Sequence, residues 1–227
     1  MTAQKQISVF DVIGPVMVGP SSSHTAGAVR LGQIGRLILG SQPTAAKIEL
    51  HGSFAKTGKG HGTENAIVAG LLGLATYDEQ IRDSFSLAEK CGLQFEFGIV
   101  DLGDEVHPNT VVLTLRADDH QVQFTGSSIG GGMIEVTNIE GFSTQFSGEY
   151  ETLLVVAQDR PGTINAVTFW LREYNVNIAF FRLERRRRGG EAIMVIETDD
   201  HLHDNIIEAI QDSWWVRWVC RINKIGG

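Results

Sequence analysis

Hydroxyl and imidazole side chains are concentrated in one short segment near the start of the chain. The segment follows a run of turn residues and precedes a predicted helix. It consists of Ser21, Ser22, Ser23, His24 and Thr25. The free N–H groups and positive potential of a helix N-terminus favour a carboxylate or phosphate, and the hydroxyls would add donors there. An ordinary helix N-cap is the simpler interpretation, and a Ser–His hydrolase is a third, although no G-x-S-x-G is present.

A second candidate is the glycine-rich segment 51–63. A phosphate-binding P-loop is rejected because five residues, rather than four, separate Gly52 from Gly58, and a glycine follows Lys59. We predict a glycine-rich loop that carries Lys59 and His61. Histidine titrates near neutral pH, so His61 is a candidate for proton transfer, and a solvated loop histidine is the alternative. Thr63 is predicted to cap a helix over 64–76.

The composition excludes several classes of function. The net charge of −8 argues against general nucleic-acid binding. The N-terminus does not resemble a signal peptide, and no apolar run approaches the ~18 residues of a membrane span, so we expect a cytoplasmic protein. Two cysteines, Cys91 and Cys220, are too few for an iron–sulfur cluster, and the histidines form no zinc pattern. The run 185–188 of four arginines is interpreted as a solvated hairpin tip rather than an RNA or lipid site.

The surrounding segments predict an α+β first domain, residues 1–145, whose topology the sequence does not give. The predicted helices cover 26–39, 64–76 and 78–91, and the predicted strands cover 47–50, 94–100, 110–116, 121–125 and 133–138. The polar stretch 142–150 is predicted to be a linker between domains.

The second domain, residues 150–227, has a clearer pattern. A buried strand at 152–158 precedes a helix with Ile164, Val167 and Leu171 on one face. Strands at 177–183 and 192–198 follow, then a second helix capped by Asp199 or Asp200, and a strand at 216–222. The order strand, helix, strand, strand, helix, strand predicts a ferredoxin-like βαββαβ domain.

Taken together, segments 8–27, 57–64, 107–109 and 127–132 resemble the iron–sulfur L-serine dehydratases. Residues 150–222 resemble an ACT domain, chiefly through 159–162 and 175–178. The length of the chain and its few cysteines resemble those of the β subunit of the two-chain form of these enzymes.

This resemblance implies that L-serine is converted to pyruvate and ammonia without pyridoxal phosphate. A cluster-bearing α subunit would carry the 4Fe–4S cluster, whose open iron acts as a Lewis acid on the leaving oxygen. Residues 21–25 would help to line the site and hold the substrate carboxylate, and His61 would transfer the proton beside Lys59 and Thr63. A non-catalytic, amino-acid-binding regulatory subunit is the alternative.

The ACT resemblance implies self-association side by side, with an amino acid bound at the seam. The matching positions are Asp159, Gly162 and Asn177. A glycine allows close approach, and the polar side chains suit an ammonium or a carboxylate, so L-serine is a reasonable ligand. A purely structural ACT pair remains the alternative.

Overall fold

Two β-sheets organise the computed structural model, which describes residues 16–19 and 21–225. Within those residues the first sheet has the strand order β2-β1-β3-β4-β5-β6. Its strands are Ala45–Leu50 (β1), Gln94–Ile99 (β2), Thr110–Ala117 (β3), His120–Gly130 (β4), Met133–Ile139 (β5) and Phe142–Phe146 (β6). Only the β1–β2 pair is parallel, and the other neighbours are antiparallel. The α+β prediction is confirmed.

The helices of this half lie before β1 and between β1 and β2. A π-helical turn, Ser22–Ala26, leads directly into Gly27–Leu39 (α1). Next come Gly52–His61 (α2), Thr63–Leu71 (α3), a 3-10 turn at Glu79–Asp83, and Ser84–Lys90 (α4).

Helices α1 and α3 pack with their backbones in contact because both carry glycine at the crossing. A Cβ at Gly70 would lie 2.0 Å from the Val29 carbonyl oxygen, and one at Gly32 would lie 2.3 Å from that of Ile67. No larger side chain fits at either position without separating the helices. This contact fixes the π-helical turn before α1 relative to the α2–α3 corner.

The second sheet has the order β10-β7-β9-β8. Its elements are Glu151–Gln158 (β7), Thr163–Glu173 (α5), Ile178–Arg185 (β8), Glu191–Thr198 (β9), Asp204–Gln211 (α6) and Val216–Ile222 (β10). This sequence of elements matches the predicted βαββαβ plan.

Each face of the second sheet is covered by a different part of the chain. Residues such as Leu153 and Met194 pack under α5 and α6, whereas Leu154 and Val195 join the core of the first half. At this junction the Cys220 thiol donates to the Leu37 carbonyl oxygen at 3.1 Å. Burial raises the pKa of the Cys220 thiol to about 12, so the thiol stays protonated.

Several sequence-based boundaries are wrong. The linker predicted at 142–150 contains β6, where Phe142, Thr144 and Phe146 are buried in alternation. The glycine-rich segment 51–63, predicted as a loop, forms helix α2. The N–H groups of Ser53 and Phe54 donate to the Pro108 carbonyl oxygen, and the Phe54 side chain is fully buried. Such packing outweighs the poor helix propensity of glycine.

Three helix predictions also need correction. Thr63 is the first residue of α3 rather than its side-chain cap; the preceding Gly62 has a φ of +71°, and the helix ends at Leu71. The single helix predicted at 78–91 is divided between a 3-10 turn and α4. Asp199 and Asp200 do not cap α6, which begins at Asp204, because their carboxylates accept hydrogen bonds from Asn177. Within the described residues, no helix is long and apolar enough to cross a membrane.

Candidate functional site

His24 lies in the π-helical turn between two pairs of hydroxyl groups. On one side, Ser23 Oγ and Ser21 Oγ lie 3.2 Å and 3.5 Å from Nδ1. Ser21 has an extended backbone at the N-cap, and its Oγ accepts a hydrogen bond from the His24 N–H at 3.3 Å. The capping interpretation and the clustering of hydroxyls around the histidine therefore both apply to the same serine.

The other pair of hydroxyls comes from helix α2. Thr57 Oγ1 and Ser53 Oγ lie 3.1 Å and 3.3 Å from His24 Nε2. These two residues are four apart in sequence and so occupy one face of the helix. Thr57 Oγ1 also donates to the Ser53 carbonyl oxygen at 2.9 Å, so it accepts from His24 Nε2–H. This pattern assigns the proton to Nε2 and leaves Nδ1 to accept from Ser23.

We call this set the His24 cluster. It consists of Ser21, Ser23, His24, Ser53 and Thr57. Residue types alone do not predict Ser53 and Thr57 as members of the site, because the glycines of their segment indicate a loop. Their spacing of four residues is the signal that a helix assignment would have used.

His61 lies beside the cluster at the end of α2. Its ring centroid is 5.0 Å from that of His24, and its side chain is exposed. Burial and then the nearby charge of His61 lower the pKa of His24. His24 is therefore neutral at pH 7, whereas His61 is open to a molecule that approaches from solvent.

The remaining predicted catalytic residues differ in exposure. Ser22 is half-buried, while Thr25 and Thr63 are buried and their hydroxyl oxygens have no hydrogen-bond partner within the described residues. Lys59 lies in the last turn of α2, and its side chain is outside the described part of the chain. The structure thus brings Ser21, Ser23, His24 and His61 together, with Thr25 and Thr63 in the interior.

Two further segments that carry the family resemblance, 107–109 and 127–132, contact the helices of the His24 cluster. The Ser53 N–H donates to the Pro108 carbonyl oxygen at 2.7 Å, and the Ser128 N–H donates to that of Asn109 at 2.9 Å. Ser128 Oγ packs against Gly27, where a Cβ would lie only 2.0 Å away. Segments 107–109 and 127–132 therefore support the helices that carry the His24 cluster. Sequence alone predicts only that 107–109 form a turn before β3, as the structure has it.

The predicted ACT positions are not brought together within one chain. Asp159 Oδ2 accepts from the Gly189 N–H at 3.0 Å and from Arg185 Nη1 at 3.1 Å, and these bonds, the first most strongly, lower its pKa. Gly162 has a φ of +90° and precedes α5. Asn177 Nδ2 donates to Asp199 Oδ2 at 2.7 Å.

The strand register separates these positions. Asp159 follows the last residue of β7, whereas Asn177 precedes Ile178, which lies in register with Thr198 and, beyond it, Glu151 at the start of β7. Seven residue steps separate the two ends of β7, which is roughly 20 Å along the strand. One chain therefore cannot present Asp159 and Asn177 to the same small ligand.

The described residues supply no ligand set for an iron–sulfur cluster. In the part of the chain that the structure describes, no three His, Cys, Asp or Glu side chains converge as metal ligands would. Cys91 and Cys220 are both free, the first exposed and the second partly buried. The residues present do not fit an iron–sulfur cluster, which takes about four cysteine ligands.

Comparison with known proteins assigns the family. The family model described as "Serine dehydratase beta chain" matches residues 8–138, more than half of the chain. The chain belongs to the serine dehydratase beta chain family. The ACT domain model matches residues 152–213. The first match contains the whole His24 cluster and His61, and the second contains Asp159, Gly162 and Asn177.

Two serine dehydratase beta chains are similar to this chain over nearly its whole length. The protein described as "Probable L-serine dehydratase, beta chain" of Bacillus subtilis (strain 168) is 43% identical over 206 residues, which cover 91% of this chain and 93% of that protein. The protein described as "L-serine dehydratase, beta chain" of Peptoniphilus asaccharolyticus is 38% identical, covering 89% of this chain and 92% of that protein.

Proposed function

We propose that this chain is the β subunit of a cytoplasmic iron–sulfur L-serine dehydratase, which converts L-serine to pyruvate and ammonia. The observation that carries the proposal is the similarity, at 43% and 38% identity, to two proteins that are described as beta chains of this enzyme and matched over more than nine-tenths of their length. A separate, cluster-bearing α subunit completes the active site.

The His24 cluster is suited to hold the substrate carboxylate. Ser21, Ser22 and Ser23 lie at the start of the π-helical turn, where hydroxyl and backbone donors are available. Because His24 is neutral at pH 7, it positions the hydroxyl groups of the cluster without placing a fixed positive charge among them. Thr25 and Thr63 are buried, and we assign them a supporting role through packing.

His61 is the proposed general base. It is exposed next to the cluster, and an imidazole at this position can remove the α-proton of a serine whose carboxylate is bound by the hydroxyls. Loss of that proton and of the β-hydroxyl, as water, gives aminoacrylate. Its tautomer, an imine, is hydrolysed to pyruvate and ammonia. We assign Lys59, two residues before His61 in α2, a supporting role next to this step.

The 4Fe–4S cluster is assigned to the α subunit because this chain supplies no suitable ligand set in its described residues. No pyridoxal phosphate is required in the proposed reaction. What the β subunit contributes is carboxylate binding and proton transfer.

The experiment is a histidine substitution in the assembled enzyme. We expect His61→Ala to lower serine turnover by about 10²-fold or more, because a positioned general base contributes about that factor. His120→Ala, at an exposed histidine of β4, is the matched control and should retain turnover. If both variants turn over serine like the parent while only activation by amino acids changes, the chain is a regulator and the proposal fails.

We also propose that two copies associate through the ACT domain and bind L-serine at the seam. Strand β8 lies at the sheet edge and exposes Phe181 and Leu183, and the neighbouring helix α5 exposes Ile164 and Phe169. An unpaired edge with apolar side chains is a ready surface for strand pairing.

The seam also accounts for the separation of the ligand positions. Antiparallel pairing of β8 with its copy places the Asn177 end of one strand beside the Arg185 end of the other. Arg185 contacts Asp159, so Asn177 of one copy meets Asp159 and Gly162 of the second. A melting temperature that does not change with saturating L-serine would contradict the ligand assignment.

A further inference from the structure

A cleft with aromatic and cationic walls lies at the end of the ACT sheet where β7 ends and β9 and β10 begin. Its volume is about 470 Å³, and its walls include Arg186, Arg187, Arg217, Trp214 and Glu191. A cleft of this size accommodates a drug-sized small molecule. No residue of the His24 cluster, and none of the three predicted ACT positions, lines it.

The charges in this cleft are unbalanced. Glu191 is shared between Arg217 at 3.2 Å and Arg186 at 3.8 Å. Arg187 has no ion-pair partner within the described residues, and its side chain is exposed. Three guanidinium groups thus face one carboxylate, which leaves an excess of positive charge in a chain whose net charge is −8. Such a local reversal of sign attracts anions.

The aromatic wall of the cleft adds a second feature that a ligand can recognise. Trp214 lines the cleft and leaves 77% of its surface exposed, so its indole ring is open to a ligand. The Arg160 guanidinium lies 4.7 Å from the Trp214 ring centroid and steadies the indole by a cation–π contact. A fixed, exposed indole beside guanidinium groups provides a stacking surface for a planar ring.

We infer that this cleft binds a small organic anion that carries a planar ring, the chemical class to which nucleotides belong. The guanidinium groups of Arg187 and Arg217 pair with the anionic groups, and the indole of Trp214 stacks on the ring. The glycine pair at 189 and 190 lines the cleft without side chains, so a ligand can approach its backbone closely.

The position of the cleft gives such a ligand a route to the first half of the chain. Arg186 donates a hydrogen bond to the Glu140 carbonyl oxygen, and its guanidinium lies 4.6 Å from the Phe142 ring centroid. Arg186 therefore connects a ligand in the cleft to the turn between β5 and β6. This inference does not depend on the proposed dehydratase activity, and its test uses binding alone.

The test is isothermal titration calorimetry of the full chain at about 0.15 M salt, where long-range charge effects are screened. The probes are ADP, inorganic pyrophosphate and adenosine, which supply charge and ring together, charge alone and ring alone. We expect ADP to bind at least about tenfold more tightly than either of the others, because the cleft recognises both groups.

Three variants place the binding site. Arg187→Gln and Trp214→Ala should each weaken ADP binding by about tenfold, since each removes one recognised contact. Arg188→Gln is the matched control, because Arg188 belongs to the same arginine run and does not line the cleft. Both altered side chains in the cleft are exposed, so the variants should fold, and equal melting temperatures without ligand confirm it.

Several results would overturn the inference. They are the absence of ADP binding at millimolar concentration, pyrophosphate binding as tight as ADP, and equal loss of affinity in Arg188→Gln and Arg187→Gln.

Discussion

The His24 cluster and the ACT ligand positions are assembled in different ways. The cluster joins residues from the π-helical turn and from α2, which one chain folds into direct contact. Asp159 and Asn177 lie at opposite ends of one sheet, and in the proposed pairing they converge only when a second copy binds along β8. The first arrangement is fixed by the folding of one chain, whereas the second depends on protein concentration and so is suited to regulation.

Mixing variants tests this difference most strongly. His24→Ala and His61→Ala each remove a group from the same site, so a mixture of the two chains should stay about 10²-fold below the parent in serine turnover. Asp159→Ala and Asn177→Ala remove groups from opposite sides of a seam. Random pairing in their mixture should restore about a quarter of the L-serine sites, counted by calorimetry. Recovery of turnover in the first mixture would show that the His24 cluster is also shared between copies.

The ACT pairing is the next largest expected effect. Leu183→Asp places a carboxylate where an apolar side chain would be buried, so self-association of the chain should weaken by about tenfold or more in sedimentation equilibrium. Glu184→Gln alters the neighbouring residue, which points to the opposite face of β8, and serves as the control. An unchanged association constant for Leu183→Asp would place the self-association surface elsewhere.

The scaffold of the His24 cluster is tested by the contact between α1 and α3. In Gly70→Ala the new methyl group meets main-chain atoms of Val29 and Gln33, so the free energy of unfolding should fall by about 2 kcal/mol. For a chain of this length, the melting temperature should then drop by roughly 4–8 °C. Gly60→Ala, with no atom within 4 Å of the added Cβ, should leave the melting temperature unchanged or slightly higher.

The smallest expected effect is the pH dependence of stability. Because the pKa of folded His24 is lowered, the unfolded chain binds the proton more readily. The contribution of neutral His24 to the free energy of unfolding is therefore fully present above about pH 6.5, the ordinary histidine pKa. It is lost as the pH falls below that value. Between pH 7.5 and 5.5 the melting temperature of His24→Asn should fall less than that of the parent. Equal slopes in the two proteins would contradict the lowered pKa.

Residue types in the sequence are enough to predict part of the candidate site. The serine and histidine run at 21–25 and the isolated His61 were evident as polar, titratable groups beside helix starts. Ser53 and Thr57 were missed because four glycines in 52–62 predict a loop, and only contacts with Pro108 and the burial of Phe54 make that segment helical. Local propensity does not contain such long-range contacts.

The ACT half was more predictable because its amphipathic patterns are regular. Val167 and Leu171 are buried on α5, whereas Ile164, predicted on the same face, is exposed. The elements occur in the predicted order. Strand β6 was missed because serine, threonine and glutamine separate its two phenylalanines, so its alternation resembled a polar linker. The domain boundaries at 145 and 150 stay a prediction.

The most direct test of the central proposal is serine-dependent pyruvate formation by this chain, purified anaerobically from its native host with whatever binds it. We expect pyruvate from a complex with a brown, cysteine-rich partner and none from the isolated chain. A colourless chain that binds amino acids and yields no pyruvate with any partner would contradict the assignment as a dehydratase subunit.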